Sequence, residues 1–462
     1  MWRRGPEQRV ARMLTLTDLA KRVDGRLILP PDPGFDAARA VWNADVDLRP
    51  AAIVRCASRD DVRWALNLAW DQGLEVAVRG GGHSVSGKSM CDGGLVIDLS
   101  GCRTVHVDRR TATATVQPGA TLGDLVDAIE PSGFLTTTGI ASTTGLAGLT
   151  LGGGIGWLMG RYGLACDNLQ AAELVTAGGE LIRADAEENP DLLWGLRGGG
   201  GNFGVVTQFE FRLHTAEPII SGLVLHPIDR ATDVLRYYRE CTAAAPDGLT
   251  VYAALLSSPD GHPLVGLAVC WCGPEREGAR HVDALRSFGP PVVDTIATSP
   301  YGAAVRMVDE PSAPGLARRY RSGTLDALSD EAIEVLVDHA SRMTSPLSVV
   351  LLEHLHGAAS RVPVDATAFA QRAASYIVLV GPQWPPHTDP TPHLRWADEL
   401  WAALEPHTAG GVYVNYLGDE HEQRLHAAYG PNFVRLATLK RRYDPENRFH
   451  RNQNIEPAAV GA

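Results

Sequence analysis

Three glycine-dense stretches are the parts of this sequence best suited to hold a ligand through the main chain. They cover residues 79–84 (RGGGHS), 139–163 and 198–201, all in the first half of the chain. Residues without Cβ atoms let the backbone approach a bound molecule closely and present N–H donors to it. Tight turns explain each stretch alone equally well. Three of them in one contiguous region predict a single long cofactor that carries a diphosphate.

Two of these stretches match nucleotide-binding motifs, but their neighbouring residues do not fit. Residues 82–89 (GHSVSGKS) match the phosphate-loop pattern, which requires a helix that begins at the lysine. Residues 90–94 instead predict a turn that leads into a strand. Residues 152–156 resemble a dinucleotide fingerprint, although no uninterrupted strand precedes them. The sequence therefore argues against a nucleotide hydrolase.

Glu353 is a candidate general base because it interrupts an apolar predicted strand, VVLLEHLH. Burial would raise the pKa of its carboxyl group, whereas on a solvated strand face it would be an ordinary surface residue, and both interpretations stay open. Tyr252, in another predicted strand, is a second candidate for lining a pocket. His354 and His356 share one strand face, but no third ligand is nearby, so no metal site is predicted.

The composition is that of an ordinary globular protein, and it narrows the range of partners. Of 462 residues, 45% are hydrophobic, and 42 basic against 54 acidic residues give a net charge of -12. This charge disfavours nucleic acid and anionic membranes, and no apolar run approaches the roughly 20 residues of a membrane helix. Seven cysteines without CxxC pairs and the lack of a visible export signal favour the cytoplasm.

The order of the predicted elements indicates two units of an α+β protein. The patterns predict strands over residues 52–55, 76–78, 95–99, 104–107, 113–116, 205–211, 249–255 and 349–356, and helices over residues 19–23, 60–71, 122–129, 330–342 and 397–404. Glycine clusters occur up to about Ala216 and stop between Ile219 and Gly410. Met13 is an alternative start to Met1, because Thr17-Asp18 resembles a helix cap.

Five blocks of the sequence together resemble one protein family. They are residues 79–84, 143–157 (TTGLAGLTLGGGIGW), 162–168 (YGLACDN), 191–207 (DLLWGLRGGGGNFGVVT) and 452–455 (NQNI). In this order they are similar to the vanillyl-alcohol oxidase / p-cresol methylhydroxylase flavoprotein superfamily, specifically its berberine-bridge-enzyme-like branch of FAD-linked oxidases. The resemblance implies a PCMH-type FAD-binding domain in two parts, residues 13–216 and 419–462. It implies a substrate domain at residues 217–418, with an antiparallel sheet backed by helices.

The resemblance also implies that FAD is bound covalently, through its 8α-methyl carbon, to His83. The other residues that it places around the cofactor are Arg79, Gly80, Gly81, Gly82, Ser84, Thr143, Thr144, Gly145, Gly148, Gly152, Gly153, Gly154, Gly156, Trp157, Asn202, Gly204, Val206, Asn452 and Asn454. Ala141 stands where many relatives carry a second, cysteine tether, so a single link is expected. Cys166 lies too far along the motif to replace that tether, and we interpret it as a buried apolar residue.

Tyr416 is the residue that the resemblance places opposite the flavin. Residues 411–416 (GVYVNY) resemble the family's YxNY strand, and strand alternation would put Tyr413 and Asn415 on the opposite face in structural roles. Tyr416, Glu353 and Tyr252 are therefore the candidate catalytic residues. Which of them is the base stays open.

The resemblance implies an oxidase that moves a hydride from a small organic substrate to flavin N5, with dioxygen as the expected acceptor. Because Ala141 replaces the second tether, the pattern is most similar to bacterial members that tailor secondary metabolites. Oxidation of a sugar, or of an amine of the hydroxynicotine type, is the alternative. A phosphate-loop NTPase and a non-catalytic flavin-binding protein are the rival classes. The sequence does not indicate an oligomeric state.

Overall fold

The N-terminal half of the chain consists of short strands that alternate with helices and loops. The structure, a computed structural model, describes residues 14–418 and 422–459, so both candidate start residues, Met1 and Met13, lie outside the described residues. The strands of this half are β1 (Arg26–Ile28), β2 (Ala52–Arg55), β3 (Val76–Arg79), β4 (Leu95–Asp98), β5 (Val105–Asp108), β6 (Thr113–Val116), β7 (Phe134–Leu135), β8 (Leu169–Val175), β9 (Leu181–Ala184), β10 (Val205–Arg212) and β11 (His214–Thr215). Its helices are α1 (Leu16–Ala20), α2 (Phe35–Arg39), α3 (Arg59–Gln72), α4 (Leu122–Ile129), α5 (Leu146–Leu151), α6 (Met159–Tyr162) and α7 (Pro190–Leu196).

The first sheet holds the start of the first glycine-rich stretch. Its strand order is β1-β2-β4-β3, with β2, β4 and β3 parallel and β1 antiparallel. Helix α3 is capped by Ser58, whose side chain accepts a hydrogen bond from the Asp61 amide, and it buries Val62 and Leu66. The predicted strand at residues 76–78 is confirmed as β3, which leads directly into the loop that carries His83.

The second sheet is antiparallel, with the order β5-β6-β10-β8-β9. Helix α4 begins at Thr121, where a reciprocal capping box with Asp124 satisfies exposed N–H groups of the first turn. The predicted helix and its Thr121 cap are both confirmed. Helix α5 divides the second glycine-rich stretch into two loops.

The middle of the chain forms a large sheet with helices on one side. Its strands are β12 (Ile219–Pro227), β13 (Leu249–Ser257), β14 (Pro263–Cys272), β15 (Val293–Asp294), β16 (Ala297–Ser299), β17 (Ala317–Arg318), β18 (Arg321–Leu325), β19 (Val349–His354), β20 (Tyr376–Gly381) and β21 (Gln383–Trp384). The remaining helices are α8 (Ala231–Ala243), α9 (Glu275–Arg286), α10 (Tyr301–Arg306), α11 (Asp330–Ala340), α12 (Gly357–Arg361), α13 (Thr391–Leu404), α14 (Glu422–Tyr429) and α15 (Phe433–Tyr443). Within the described ranges, none of the helices is long and apolar enough to cross a bilayer.

The eight-stranded sheet runs β15-β12-β14-β13-β19-β20-β18, with β16 also paired to β12, and its strand pairs are antiparallel. Residues such as Val251 and Val350 pack on one face against α8, α9, α11 and α13. Tyr252 and Ile377 point to the other face and join the core of the N-terminal half. Glu353 is the cross-strand partner of Tyr252, so it also faces the glycine-rich loops.

Two helices begin several residues before the predicted start. Helix α1 begins at Leu16, because Thr15 rather than Thr17 is the cap, with Asp18 closing a capping box. Helix α13 begins at Thr391 rather than at residue 397, because its first turn is polar and exposed and gives no apolar periodicity.

The predicted strand at residues 411–416 is wrong. Val414–Tyr416 form a 3₁₀ turn, in which the Tyr416 amide donates to the Tyr413 carbonyl at 2.9 Å. Tyr413 and Tyr416 therefore do not lie on opposite faces, and their ring centroids are 4.9 Å apart. Asn415 and Tyr413 do have structural contacts: Asn415 donates to the Tyr413 hydroxyl at 2.7 Å and to the Leu149 carbonyl at 3.1 Å.

A buried ion pair ties the C-terminal segment to the third glycine-rich stretch. Lys440 pairs with Asp444 at 2.6 Å, and both side chains are 0% exposed. The Lys440 ammonium also donates to the carbonyls of Asn202 and Phe449, each at 2.9 Å. With its donors satisfied, this cation fixes the tail against the loop that contains Asn202.

Lys440→Met should destabilise the fold strongly, because it leaves the Asp444 carboxylate buried without a cation. We expect the free energy of unfolding to fall by about 3–5 kcal/mol, measured by urea denaturation and tryptophan fluorescence. Arg442→Met is the control on the same helix, since the Arg442–Asp191 pair is exposed and such pairs contribute about 0–1 kcal/mol. Equal losses in the two variants would contradict this assignment.

Candidate active site

His83 lies in the loop after β3, and two side chains hold its imidazole. Its Nε2 is 3.2 Å from the Thr143 hydroxyl. The ring stacks on Trp42 with centroids 4.8 Å apart and planes at 19°. Burial, with the charge of Arg318, lowers the pKa of His83 to about 4. The imidazole is therefore neutral at pH 7 and keeps a nitrogen lone pair available for bonding.

The first and second glycine-rich stretches touch through their backbones. A Cβ atom added to Gly81 would lie 2.4 Å from the Cα of Gly145, and one added to Gly152 would lie 2.1 Å from the side-chain oxygen of Asn415. A Cβ atom at Gly148 would meet nothing within 4 Å. Gly81, Gly145 and Gly152 are therefore required because other parts of the protein pack against them. The sequence alone cannot distinguish such a glycine from one that lets a ligand approach the backbone.

The structure brings the predicted cofactor residues together. Residues 79–84 contact residues 143–157 at His83 and Thr143, and the Gly200 amide donates to the Leu151 carbonyl at 2.9 Å. The third stretch meets the C-terminal tail, where Asn202 donates to the Gln453 carbonyl and Asn452 to the Gly201 carbonyl, each at 3.1 Å. Gly204 and Val206 continue from this loop into β10.

Several buried polar atoms around these loops have no hydrogen-bond partner among the described protein groups. They include the side-chain oxygens of Asn452, Asn454 and Thr150 and the indole nitrogen of Trp157. Buried polar atoms are almost always hydrogen-bonded in folded proteins. These acceptors and the donor fit a large polar cofactor such as FAD.

Glu353 is buried, with 1% of its surface exposed, and the Tyr416 hydroxyl donates to its Oε1 at 3.0 Å. The solvated alternative for Glu353 is therefore wrong. Its Oε2 has no partner in the described chain. Burial raises the pKa of Glu353 to about 8, against the lowering effect of the Tyr416 hydrogen bond. Burial also raises the pKa of Tyr416 well above its usual value, so Glu353 is the group of this pair that exchanges a proton near neutral pH.

Tyr252 links Glu353 to the second glycine-rich stretch. It is 1% exposed, lies across the strand pair from Glu353, and has no hydrogen-bond partner for its hydroxyl in the described chain. Its ring stacks on Trp157 with centroids 4.8 Å apart. Tyr413, whose ring lies next to that of Tyr416, also contacts the second glycine-rich stretch. Its hydroxyl accepts a hydrogen bond from the Gly154 amide at 3.0 Å.

A row of aromatic side chains joins His83 to Glu353. Trp42 meets Tyr320 edge to face at 6.2 Å, and Tyr320 meets Tyr416 in the same way at 6.0 Å. The Trp42–His83 stack and the Tyr416–Glu353 hydrogen bond are the two ends of this row. Sequence reasoning missed Trp42 and Tyr320, because an isolated tryptophan and a tyrosine within an arginine run carry no recognisable pattern.

Comparison with known proteins identifies the family of this chain. A family model described as FAD binding domain matches residues 50–185, and one described as berberine and berberine like matches residues 412–456. An FAD-linked oxidoreductase of Dictyostelium discoideum is 33% identical over 420 residues, which cover 90% of this chain and 91% of the relative. The (R)-6-hydroxynicotine oxidase of Paenarthrobacter nicotinovorans is 31% identical over 455 residues, covering 94% and 97%. This chain belongs to the berberine-bridge-enzyme-like FAD-linked oxidoreductases.

Solved structures of other oxidases share the fold of this oxidoreductase. A crystal structure of 6-hydroxy-D-nicotine oxidase from Arthrobacter nicotinovorans matches with a TM-score of 0.89 and 30% identity, over 96% of this chain and 100% of that one. A chitooligosaccharide oxidase matches with a TM-score of 0.84 and 23% identity, over 94% and 98%. The predicted α+β fold and the prediction of an FAD-dependent oxidoreductase are confirmed.

Residues 82–89 do not form a phosphate loop in this oxidoreductase. Turns occupy residues 83–94, and no helix begins at Lys88, so the helix terminus that would bind phosphates is missing there.

The rings of His354 and His356 stack at 4.8 Å. Among the described residues, no group of three or more His, Cys, Asp or Glu side chains could hold a metal ion.

Tyr416→Phe should raise the pKa of Glu353 further, because the Tyr416 hydrogen bond favours the carboxylate. We expect the midpoint of the carboxyl titration to move up by about one pH unit. Infrared difference spectra give this midpoint, with Glu353→Gln to assign the band. Tyr413→Phe is the control, since the Tyr413 hydroxyl contacts Gly154 and Asn415 instead. An unchanged midpoint in Tyr416→Phe would refute the assignment.

Proposed function

We propose that this oxidoreductase carries FAD bound covalently to His83 and oxidises a small organic substrate with Glu353 as general base. The row of contacts from His83 to Glu353 supports the proposal, because His83, the proposed attachment site, and Glu353, the proposed base, lie at its two ends. The neutral imidazole of His83 supports a covalent bond to the 8α carbon. Ala141 supplies no thiol for a second link.

Glu353 performs the proton transfer in this reaction. As a carboxylate it takes the proton from the O–H or N–H group of the substrate, while a hydride leaves the neighbouring carbon. FAD supplies the hydride acceptor at N5. Tyr416 holds Oε1 of Glu353, which leaves Oε2 to face the substrate. We assign dioxygen as the final acceptor, in keeping with the oxidases among the relatives.

The surroundings of Glu353 favour an amine or alcohol with an apolar body over a sugar. The Tyr416 hydroxyl donates to Glu353, and Tyr252 lies opposite Glu353 in the neighbouring strand. Trp157 stacks on Tyr252. A single carboxyl group among aromatic rings suits a cationic or aromatic molecule. We place the reaction in a tailoring step of bacterial secondary metabolism. Amine oxidation is the second candidate, favoured by the aromatic walls and by the 6-hydroxynicotine oxidase among the relatives.

His83→Ala should release the flavin. In the unaltered protein we expect a yellow pellet after acid precipitation and an intact mass that exceeds the polypeptide by one FAD. In His83→Ala the colour should move to the supernatant and the extra mass should disappear. His106→Ala, on the exposed position of β5, is the control and should keep the colour in the pellet. A His83→Ala pellet that stays yellow would place the tether elsewhere.

Glu353→Gln should abolish most of the activity, because the amide cannot accept the proton. Anaerobic mixing with a panel of alcohols, amines and sugars, followed by flavin absorbance, first identifies a substrate. We then expect kcat to fall by about 10²–10⁴-fold in Glu353→Gln, with the exposed Glu334→Gln as control. In the unaltered enzyme, kcat/KM should rise with pH and level off above about 8, where Glu353 is ionised. A profile flat from pH 6 to 9 would contradict this role.

A further inference from the structure

Arg318 is a buried cation whose recorded partners in the described chain are neutral. Its side chain is 0% exposed. The guanidinium donates to the Gln383 side-chain oxygen at 2.7 Å and to the carbonyls of Trp42, Leu316 and Ala313 at 3.1, 3.2 and 2.5 Å. Burying a charge without a counter-ion is costly, so the fold maintains this arrangement at the expense of stability.

The guanidinium lies beside the aromatic ring that holds His83. Its central carbon is 3.9 Å from the Trp42 ring centroid, and the same indole stacks on the His83 imidazole at 4.8 Å. Trp42 is held by hydrogen bonds to two other segments of the chain. Its amide donates to the Gly82 carbonyl at 3.1 Å, and its indole N–H donates to the Ser312 carbonyl at 2.6 Å. Arg318 and Trp42 thus form a layered support behind the imidazole.

We propose that Arg318 is a positioning residue for the attachment of FAD to His83, acting through Trp42 to hold the imidazole in its orientation. The inference rests on the proposed covalent link. A cation–π contact of this kind fixes the indole plane. The nearby positive charge also disfavours a second positive charge on the imidazole.

The attachment step uses a nitrogen lone pair of His83, which the positive charge of Arg318 helps to keep unprotonated. A nitrogen lone pair of His83 forms the bond to the 8α-methyl carbon, and one methyl C–H bond breaks. The electron pair of that C–H bond reduces the ring system by two electrons, and the methyl proton and the imidazole N–H proton pass to the ring or to solvent. Dioxygen is the two-electron oxidant that restores the oxidised ring. A protonated His83 has no free lone pair and cannot begin this step.

The charged and titratable groups around His83 come from three segments. Arg318 is the one whose charge lowers the pKa of His83, after the effect of burial. Arg79, at the start of the same loop, lies below Gly82, and its guanidinium donates to the Ala38 carbonyl at 2.5 Å. Tyr320 lies beyond Trp42, and burial raises its pKa to about 12, so it is neutral in the range that matters.

The test measures the rate of covalent attachment as a function of pH. Apoprotein from a riboflavin-starved host is mixed with FAD in air, quenched with acid at intervals, and analysed by intact mass between pH 4.5 and 8. In the unaltered chain the rate should be nearly constant above pH 5. The acid limb is the part of this profile in which protonation of His83 lowers the rate of attachment. In Arg318→Met the acid limb should move up by about one pH unit, which slows attachment at low pH by up to about tenfold. Arg318→Lys, which keeps the charge, should restore the limb.

Arg319→Met is the matched control. Arg319 also bridges to the segment after Trp42, through an ion pair with Asp45 at 2.7 Å, but its side chain is about half exposed. It should attach FAD with the unaltered rate and pH dependence.

Three outcomes decide the proposal. Arg318→Met with an unaltered rate and acid limb would overturn it, while the proposed function would stand. The absence of covalent FAD in the unaltered chain would instead refute the proposed function, and this inference with it. If Arg318→Met does not fold, Trp42→Leu tests the same support: slower attachment at all pH values confirms it, and an unaltered rate overturns it.

Discussion

Burying a carboxyl group costs free energy unless the group is protonated or well hydrogen-bonded. Both conditions apply to Glu353. Its surroundings raise its pKa to about 8, and Tyr416 is its hydrogen-bond donor. The antiparallel register sets Tyr252 opposite it, and the 3₁₀ turn at Val414–Tyr416 delivers the donor from a distant part of the chain. The sheet and the turn therefore set the proton affinity on which the proposed reaction relies.

The second half of the site depends on packing between segments far apart in the sequence. Trp42 touches His83 in the first glycine-rich loop, Tyr320 in the middle of the chain, and the guanidinium of Arg318. Tyr320 in turn touches Tyr416. These contacts are long-range, so the distance from His83 to Glu353 is fixed only when both halves of the protein have folded together. The buried Lys440–Asp444 pair has the same effect on the C-terminal tail, which it holds against the loop that contains Asn202.

Local patterns in the sequence predict much of this architecture. Helix α4 with its Thr121 cap and strand β3 follow from residues close in the chain. The burial of Glu353 does not, because an apolar strand can present one residue either to the core or to solvent, and only the packing of the sheet decides between them. The turn at Val414–Tyr416 does not, because Val412, Val414 and Tyr416 are apolar or aromatic at the alternate spacing of a strand. Arg318 is indistinguishable in sequence from exposed Arg319, since only the pairing of β17 with β21 decides which of them is buried.

We propose that one flavin ring lies between His83 and Glu353. A crystal structure of the purified, flavin-loaded protein tests this most directly. We predict continuous electron density from a nitrogen of His83 to the 8α carbon, and an isoalloxazine ring whose N5 side is turned to Glu353 and Tyr416. A flavin ring without a bond to His83, or one whose N5 points away from Glu353, would contradict it.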